Sequence, residues 1–175
     1  LAGNICNASP AGDTLPYLFA VNAGVVLQSL YKTRTLAIED FIVSPKKTCI
    51  RPDEILTEII IPKKEFSINY YRRLGQRKGM SLTKVSLLGM AELKDNKVTD
   101  IRIALGSVSA GIVHSAEIEN SMKLKSTEEI EQMIDGIVEK YNALIRPIDD
   151  ARSTAIYRKK VSVRLIRHFL DSIIQ

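Results

Sequence analysis

The first third of the 175-residue chain alternates short apolar runs with polar turns. Four of these runs have the lengths expected of one short helix and three strands, and they are residues 15–21, 25–30, 35–38 and 55–61. Pro16 suits the first turn of the helix, and Pro62 ends the last strand. The polar turn at residues 32–34 lies between the second and third runs, which predicts a β-hairpin.

After the charged link at residues 63–65 the apolar runs become longer. Three of them predict strands, at residues 67–74, 85–93 and 98–105, and the turn at residues 94–97 pairs the last two as a hairpin. Thr99, Asp100 and Arg102 alternate with apolar residues in the last of these strands. That alternation predicts one solvated and one buried face.

The C-terminal part of the chain has the periodicity of helices. His114 is expected to begin a short helix, and Ser126 with Glu129 gives the capping-box signature of a longer one. A final amphipathic helix is predicted from about Tyr157 onward. Its basic residues are expected on the outer side, and they are Arg158, Lys159, Lys160, Arg164 and Arg167. Packing of this helix on the antiparallel sheet is favoured over a helix lying on a membrane surface.

The composition is that of an ordinary soluble protein, with 45% hydrophobic and 26% charged residues. The net charge of +5 comes from basic pairs spread along the chain, which favours a solvated surface over a nucleic-acid interface. Cys6 and Cys49 are too few and too isolated for a zinc or iron–sulfur site, so no metal is expected in this chain. The absence of a signal peptide and of a long apolar run favours a cytoplasmic protein without a membrane span, whose thiols are free.

The opening segment has the composition of a ligand-binding loop. Gly3 allows close backbone approach, while Asn4, Asn7 and Ser9 offer hydrogen-bonding groups ahead of the acid Asp13. These residue types suit a ligand rich in phosphate or ribityl groups. An ordinary surface loop has the same composition, and for Asp13 the alternative is a helix cap.

Five ordered blocks carry a resemblance to a known family. They are residues 3–13 (GNICNASPAGD), residues 46–48 (KKT) with 51–56 (RPDEIL), residues 77–86 (RKGMSLTKVS), residues 104–110 (ALGSVSA) and residues 147–158 (PIDDARSTAIYR). In this order they resemble the FAD subunit of the molybdenum hydroxylases, the xanthine dehydrogenase and carbon monoxide dehydrogenase family. The first block resembles the second flavin-binding loop of that subunit.

The resemblance implies an α+β fold in two parts. Residues 1–63 would be the C-terminal part of a PCMH-type FAD-binding domain, and residues 64–175 a C-terminal domain of antiparallel sheet with packed helices. In the family a preceding half carries another glycine-rich phosphate loop, and none occurs here. The chain therefore resembles the C-terminal portion of such a subunit, with an incomplete FAD site.

The resemblance also implies which residues bind the cofactor: Gly3, Asn4, Asn7, Ser9, Asp13, Ile55, Leu56 and Arg73. The first two are expected in a turn, although Ala2 replaces the usual first glycine. Leu56 aligns with an aliphatic residue that meets the flavin, and packing in the sheet core is its alternative role. Arg73 replaces the lysine of many relatives and keeps its charge, but a guanidinium has a different geometry from an ammonium. Simple surface charge is the alternative for Arg73, as for Arg72, Arg77 and Lys78.

The function implied is electron transfer as the FAD-binding component of an oxidoreductase. FAD would relay electrons from an iron–sulfur (2Fe–2S) subunit to NAD or another acceptor, while substrate is hydroxylated at a molybdopterin cofactor on a third subunit. The resemblance implies no catalytic acid or base here, and the fragment alone is expected to be inactive. The alternative is a docking module of the same complex that does not bind flavin by itself.

Overall fold

The computed structural model describes residues 1–77, 79 and 81–175, so Lys78 and Met80 of the third block lie outside the described residues. The helices are α1 (Ala2–Cys6), α2 (Leu15–Ala20), α3 (Ile38–Phe41), α4 (Ala116–Met122), α5 (Thr127–Leu144) and α6 (Ala155–Asp171). The strands are β1 (Gly24–Gln28), β2 (Thr33–Ala37), β3 (Ile42–Ser44), β4 (Lys47–Thr48), β5 (Ile55–Ile60), β6 (Ile68–Leu74), β7 (Val85–Lys94), β8 (Lys97–Gly106) and β9 (Val113–His114).

The N-terminal part is built around a three-stranded antiparallel sheet in the order β2-β1-β5. The predicted hairpin of β1 and β2 is confirmed, as is the short helix α2 with Pro16 in its first turn. Helices α1, α2 and α3 contribute buried side chains, including Ile5, Leu18 and Phe41, to the core of this part. Strand β5 forms one edge of the sheet.

The C-terminal part contains a four-stranded antiparallel sheet in the order β6-β7-β8-β9. The long strands β7 and β8 pair from Ser86 with Gly106 to Lys94 with Lys97, as the predicted hairpin requires. Helix α6 packs on β7 and α5 packs on α6, so the two long helices cover one face of the sheet. The capping box of α5 is formed by Ser126 and Glu129. The predicted α+β architecture is confirmed.

Helix α2 of the N-terminal part covers the opposite face of β7 and β8. Ala20 packs there with Leu88, Met90 and Ala104 in an apolar cluster. The prediction of a solvated face on β8 was therefore wrong for Asp100, which is buried and binds Lys64, Arg102 and Lys123. Burial alone would raise the pKa of Asp100, but these cations outweigh it and lower the pKa.

Three local predictions need correction. Residues Gly3 and Asn4 lie in the helix α1 and not in a turn. Helix α2 is preceded by Thr14 as its N-cap residue, so Asp13 does not cap a helix. His114 ends strand β9, and Ser115 caps α4 by accepting a hydrogen bond from the Ile118 amide, because a hydroxyl satisfies a free helical N–H better than an imidazole in this position.

Candidate functional site

A polar cleft of about 530 Å³ lies where the two parts of the chain meet. We call it the Asp13 cleft. Its walls come from the loop between α1 and α2, from the turn between β3 and β4, from strand β6 and from the segment before β7. The residues that line it are Asn4, Asn7, Ser9, Ala11, Gly12, Asp13, Lys46, Arg73, Ser81, Leu82, Thr83 and Arg152. Five residues predicted for a cofactor site are therefore brought together.

Asp13 joins the two parts of the chain inside this cleft. Its Oδ1 accepts a hydrogen bond from Arg73 Nε at 2.9 Å and one from Thr83 Oγ1 at 2.5 Å. Arg73 also donates to the carbonyl of Ser81. Among the described residues no donor reaches Oδ2 of Asp13, whose side chain is 48% exposed. Within the described part of the chain the carboxylate is thus fixed through one of its two oxygens.

The two asparagines are held through their carbonyl oxygens. Thr14 Oγ1 donates to Asn4 Oδ1 at 2.5 Å, and Lys46 Nζ donates to Asn7 Oδ1 at 2.8 Å. Within the described ranges neither amide nitrogen donates a hydrogen bond. The Ser9 hydroxyl accepts from the Ala11 amide at 3.3 Å, which shapes the loop between the asparagines and Asp13.

The charge of the cleft is positive. Lys46, Arg73 and Arg152 line it, and Asp13 is the single acidic residue among the described lining side chains. Nearby, burial raises the pKa of Tyr71, and the negative charge of Asp13 adds to that rise.

Two backbone features shape the wall of the Asp13 cleft. Lys46 adopts a φ of 64°, and a side chain at Gly12 would lie 3.1 Å from both Asn4 Oδ1 and the Ser9 carbonyl.

Three of the predicted site residues do not line the cleft. Gly3 is exposed on α1, with open space where a Cβ would stand. Ile55 is 66% exposed on the edge strand β5. Leu56 is half-buried against the core of the N-terminal part. The described structure thus leaves Leu56 in the core role that was its alternative, and gives Gly3 and Ile55 no contact with the cleft.

Sequence reasoning missed four residues around this region. Lys46, Thr83 and Arg152 line the cleft, and each lies in a family block without being singled out. Arg158, expected on the outer side of the last helix, is 3% exposed. It shares the inner face of α6 with Ser162, Ile166 and Phe169, and this three- or four-residue spacing is the signal that could have revealed it.

Two family models cover nearly the whole chain. The first, described as the FAD binding domain in molybdopterin dehydrogenase, matches residues 1–64. The second, described as the CO dehydrogenase flavoprotein C-terminal domain, matches residues 70–173. The chain belongs to the FAD-subunit family of the molybdenum hydroxylases. The resemblance drawn from the five sequence blocks is confirmed.

Two relatives in this family are a medium chain and a medium subunit. The chain is 30% identical over 162 residues to the glyceraldehyde dehydrogenase medium chain of Sulfolobus acidocaldarius, covering 92% of this chain and 56% of the relative. It is 26% identical over 167 residues to the nicotine 6-hydroxylase medium subunit of Paenarthrobacter nicotinovorans, covering 95% and 58%. The chain thus spans a little over half the length of these members of its family.

Solved structures agree on the fold. A carbon monoxide dehydrogenase from Hydrogenophaga pseudoflava matches with a TM-score of 0.86 and 20% identity, over 98% of this chain and 59% of that one.

None of the helices in the described ranges combines the length and the apolar character of a membrane span. Within the same ranges no three His, Cys, Asp or Glu side chains converge as a metal site, and Cys6 and Cys49 are free.

Proposed function

We propose that the chain contributes one wall of an FAD site, the Asp13 cleft, and that the bound flavin relays electrons within a molybdenum hydroxylase. The observation that carries the proposal is the meeting of Asn4, Asn7, Ser9, Asp13 and Arg73 in one positively charged cleft. Electrons would come from a 2Fe–2S subunit and leave to NAD or another acceptor.

The donors of the cleft fit the polar part of FAD. Lys46, Arg73 and Arg152 can balance a diphosphate, and the free amide nitrogens of Asn4 and Asn7 can donate to its oxygens. The free oxygen of Asp13 can accept from a ribityl hydroxyl. When bound, FAD would supply the redox chemistry, and the residues of this chain would orient it and tune its electrostatics.

The wider proposal concerns the assembly around this chain. We place the end of the FAD-binding domain at residues 1–63 and the C-terminal domain at residues 64–175. The rest of the FAD site would come from an N-terminal half of the subunit, beside a 2Fe–2S subunit and a molybdopterin subunit. A cytoplasmic complex is consistent with two free cysteines.

A second candidate function is a docking module that needs its partners before it holds flavin. The exposed edge of β5 favours it, because Ile55 and Ile60 are 66% and 46% exposed there. An open edge strand with exposed isoleucines is suited to pairing with another polypeptide segment. This alternative predicts FAD binding only after the N-terminal half is supplied.

Asp13→Asn is expected to weaken FAD binding about tenfold or more, because it removes the charge that fixes Arg73 and the acceptor offered to the ribityl chain. Flavin content and the FAD dissociation constant would be measured by absorbance and equilibrium dialysis, for the chain alone and when co-expressed with an N-terminal half. The matched control is Asp40→Asn, because Asp40 is an exposed acid on α3. This variant should leave the FAD dissociation constant unchanged. Equal FAD affinities for the two variants would contradict the proposed role of Asp13. Flavin absorbance that is found only after co-expression with the N-terminal half would favour the docking module.

Gly3→Ala tests whether flavin approaches the backbone of α1. The substitution should not strain the fold, because open space surrounds the missing Cβ in the described structure. Gly3 does not line the Asp13 cleft, so FAD affinity should fall only if the cofactor also extends along this face of α1. Gly136→Ala in α5 is the matched control, because it too has nothing near its Cβ. It should raise the free energy of unfolding by about 0.5–1 kcal/mol without affecting flavin. Unchanged FAD affinity in Gly3→Ala would remove Gly3 from the site.

A further inference from the structure

A second cleft shares part of its wall with the Asp13 cleft. We call it the Arg158 cleft. It has a volume of about 470 Å³, and Ser9, Ala11, Lys46 and Arg152 line both clefts. Ser107, Arg146, Asp150 and Arg158 line only the second one. Its inner wall is the loop after β8, whose residues belong to the fourth sequence block.

Two residues that line this cleft each carry a buried polar atom with no hydrogen-bond partner among the described residues. They are Oγ of Ser107, a residue that is 5% exposed, and Nε of Arg158, a residue that is 3% exposed. The other groups of these residues are satisfied, since Arg158 Nη1 donates to the Ser107 carbonyl at 2.7 Å and the Ser107 amide donates to the Pro10 carbonyl at 2.8 Å. Buried polar groups are normally paired, so two unpaired donors on side chains in the wall of one cleft point to a ligand that accepts hydrogen bonds.

The charge of the cleft points to an anion. Lys46, Arg146, Arg152 and Arg158 face one acid, Asp150, among the described lining residues. Asp150 is already neutralised, because its Oδ1 accepts from Arg158 at 2.7 Å and its Oδ2 accepts from Arg152 at 2.5 Å. Arg146 forms no ion pair within the described part of the chain, and its Nη1 donates only to the Ile145 carbonyl at 3.3 Å. Positive charge therefore remains for a ligand to balance.

An apolar bay of about 220 Å³ adjoins the Arg158 cleft. The two share Pro10, Pro45 and Ala110, and the bay is otherwise lined by side chains such as Phe19 and Ile112. Polar atoms contribute little to its walls. A ligand that fills both spaces would have an anionic group at one end and an apolar body at the other.

We propose that the Arg158 cleft is a second binding site, which takes the phosphate or carboxylate group of a small molecule and places the apolar part of that molecule in the adjoining bay. Ser107 Oγ and Arg158 Nε would donate to the anionic group, and Arg146 would balance its charge. The inference does not depend on flavin binding, since none of these three residues lines the Asp13 cleft.

Isothermal titration calorimetry at constant ionic strength tests the site with inorganic phosphate and with acetate, which separate the two anionic groups. The better of them is expected to bind with a dissociation constant of about 1 mM or lower. Phenyl phosphate or benzoate, with the same anionic group on a ring, should bind about tenfold more tightly because the bay accepts the ring. Heats equal to those of buffer for all four probes would overturn the proposal.

Three variants show where the anion binds. Ser107→Gly removes the hydroxyl and suits the φ of 65° at this position, so it should keep the fold and weaken binding about fivefold. Arg146→Gln should weaken it to a similar extent. Arg164→Gln makes the same charge change at an exposed position of α6 outside the cleft, and should change the affinity by less than about twofold. If Arg146→Gln and Arg164→Gln weaken binding equally, general surface charge explains the heat and the proposal is wrong. Flavin content, measured in parallel, reports separately on the Asp13 cleft.

Discussion

Gly89→Ala is expected to lower the free energy of unfolding by about 3 kcal/mol, because β7 and α6 leave no room for a methyl group. A Cβ at Gly89 would lie 2.5 Å from the ring of Phe169, which is fully buried. Either the ring or the whole helix must move. Urea unfolding followed by circular dichroism would give the change in free energy.

Gly24→Ala is the matched control for this substitution, because Gly24 also lies in a strand but its Cβ would meet Ile60 at an ordinary 3.5 Å. Its effect on stability should stay within about 1 kcal/mol. Phe169→Leu in the Gly89→Ala background should recover part of the loss, since a smaller side chain relieves the clash. If Gly89→Ala and Gly24→Ala unfold at the same urea concentration, α6 does not pack on β7 as described.

Arg158→Met is expected to cost about 3 kcal/mol of stability, because it breaks a buried ion pair from one side. The variant leaves Asp150 without its inner partner and the Ser107 carbonyl without its donor. Asp150→Asn in the same chain should restore part of the loss, because the Asp150 carboxylate would otherwise keep Arg152 as its one remaining cationic partner among the described residues. Arg152→Met, which removes a more exposed partner of Asp150, should cost less than about 1 kcal/mol.

Asp150 is expected to contribute to the pH dependence of stability. Burial alone would raise its pKa, but hydrogen bonds from Arg152 and Arg158 outweigh burial and hold the pKa at about 2. Because the folded-state pKa lies below the ordinary value of an aspartate, about 3.8, Asp150 contributes stability above that pH and loses it as the pH falls towards about 2. The free energy of unfolding of Arg158→Met should therefore fall less steeply at acid pH than that of the unaltered chain. If the two free energies fall with the same slope, Arg158 does not stabilise the ionised carboxylate.

The elements that local rules govern could be predicted from the sequence. The α5 capping box depends on Ser126 and Glu129, three residues apart, and the β1–β2 hairpin depends on alternation around one turn. The helix α1 could not be predicted in this way, since Gly3 and Asn4 are weak helix formers and the segment is only five residues long. There, tertiary packing of Ile5 in the core outweighs local preference.

The candidate site was predicted only in part, because its contacts join distant positions in the chain. Asp13 meets Arg73 and Thr83 across 60 and 70 residues, and no periodicity encodes such a contact. Family blocks indicated the right segments without indicating which side chains turn inward. Arg158 shows this most clearly, since a charged residue on an amphipathic helix is ordinarily assigned to solvent.

Helix α2, which belongs to the first family match, covers sheet residues that belong to the second. A polypeptide cut between residues 64 and 70 would expose Leu88 and Met90 to water and leave Ala20 without its neighbours. The boundary between the two family matches is therefore not a boundary between two independent hydrophobic cores. Each half supplies part of the other's interior, so we expect the two halves to fold as one unit.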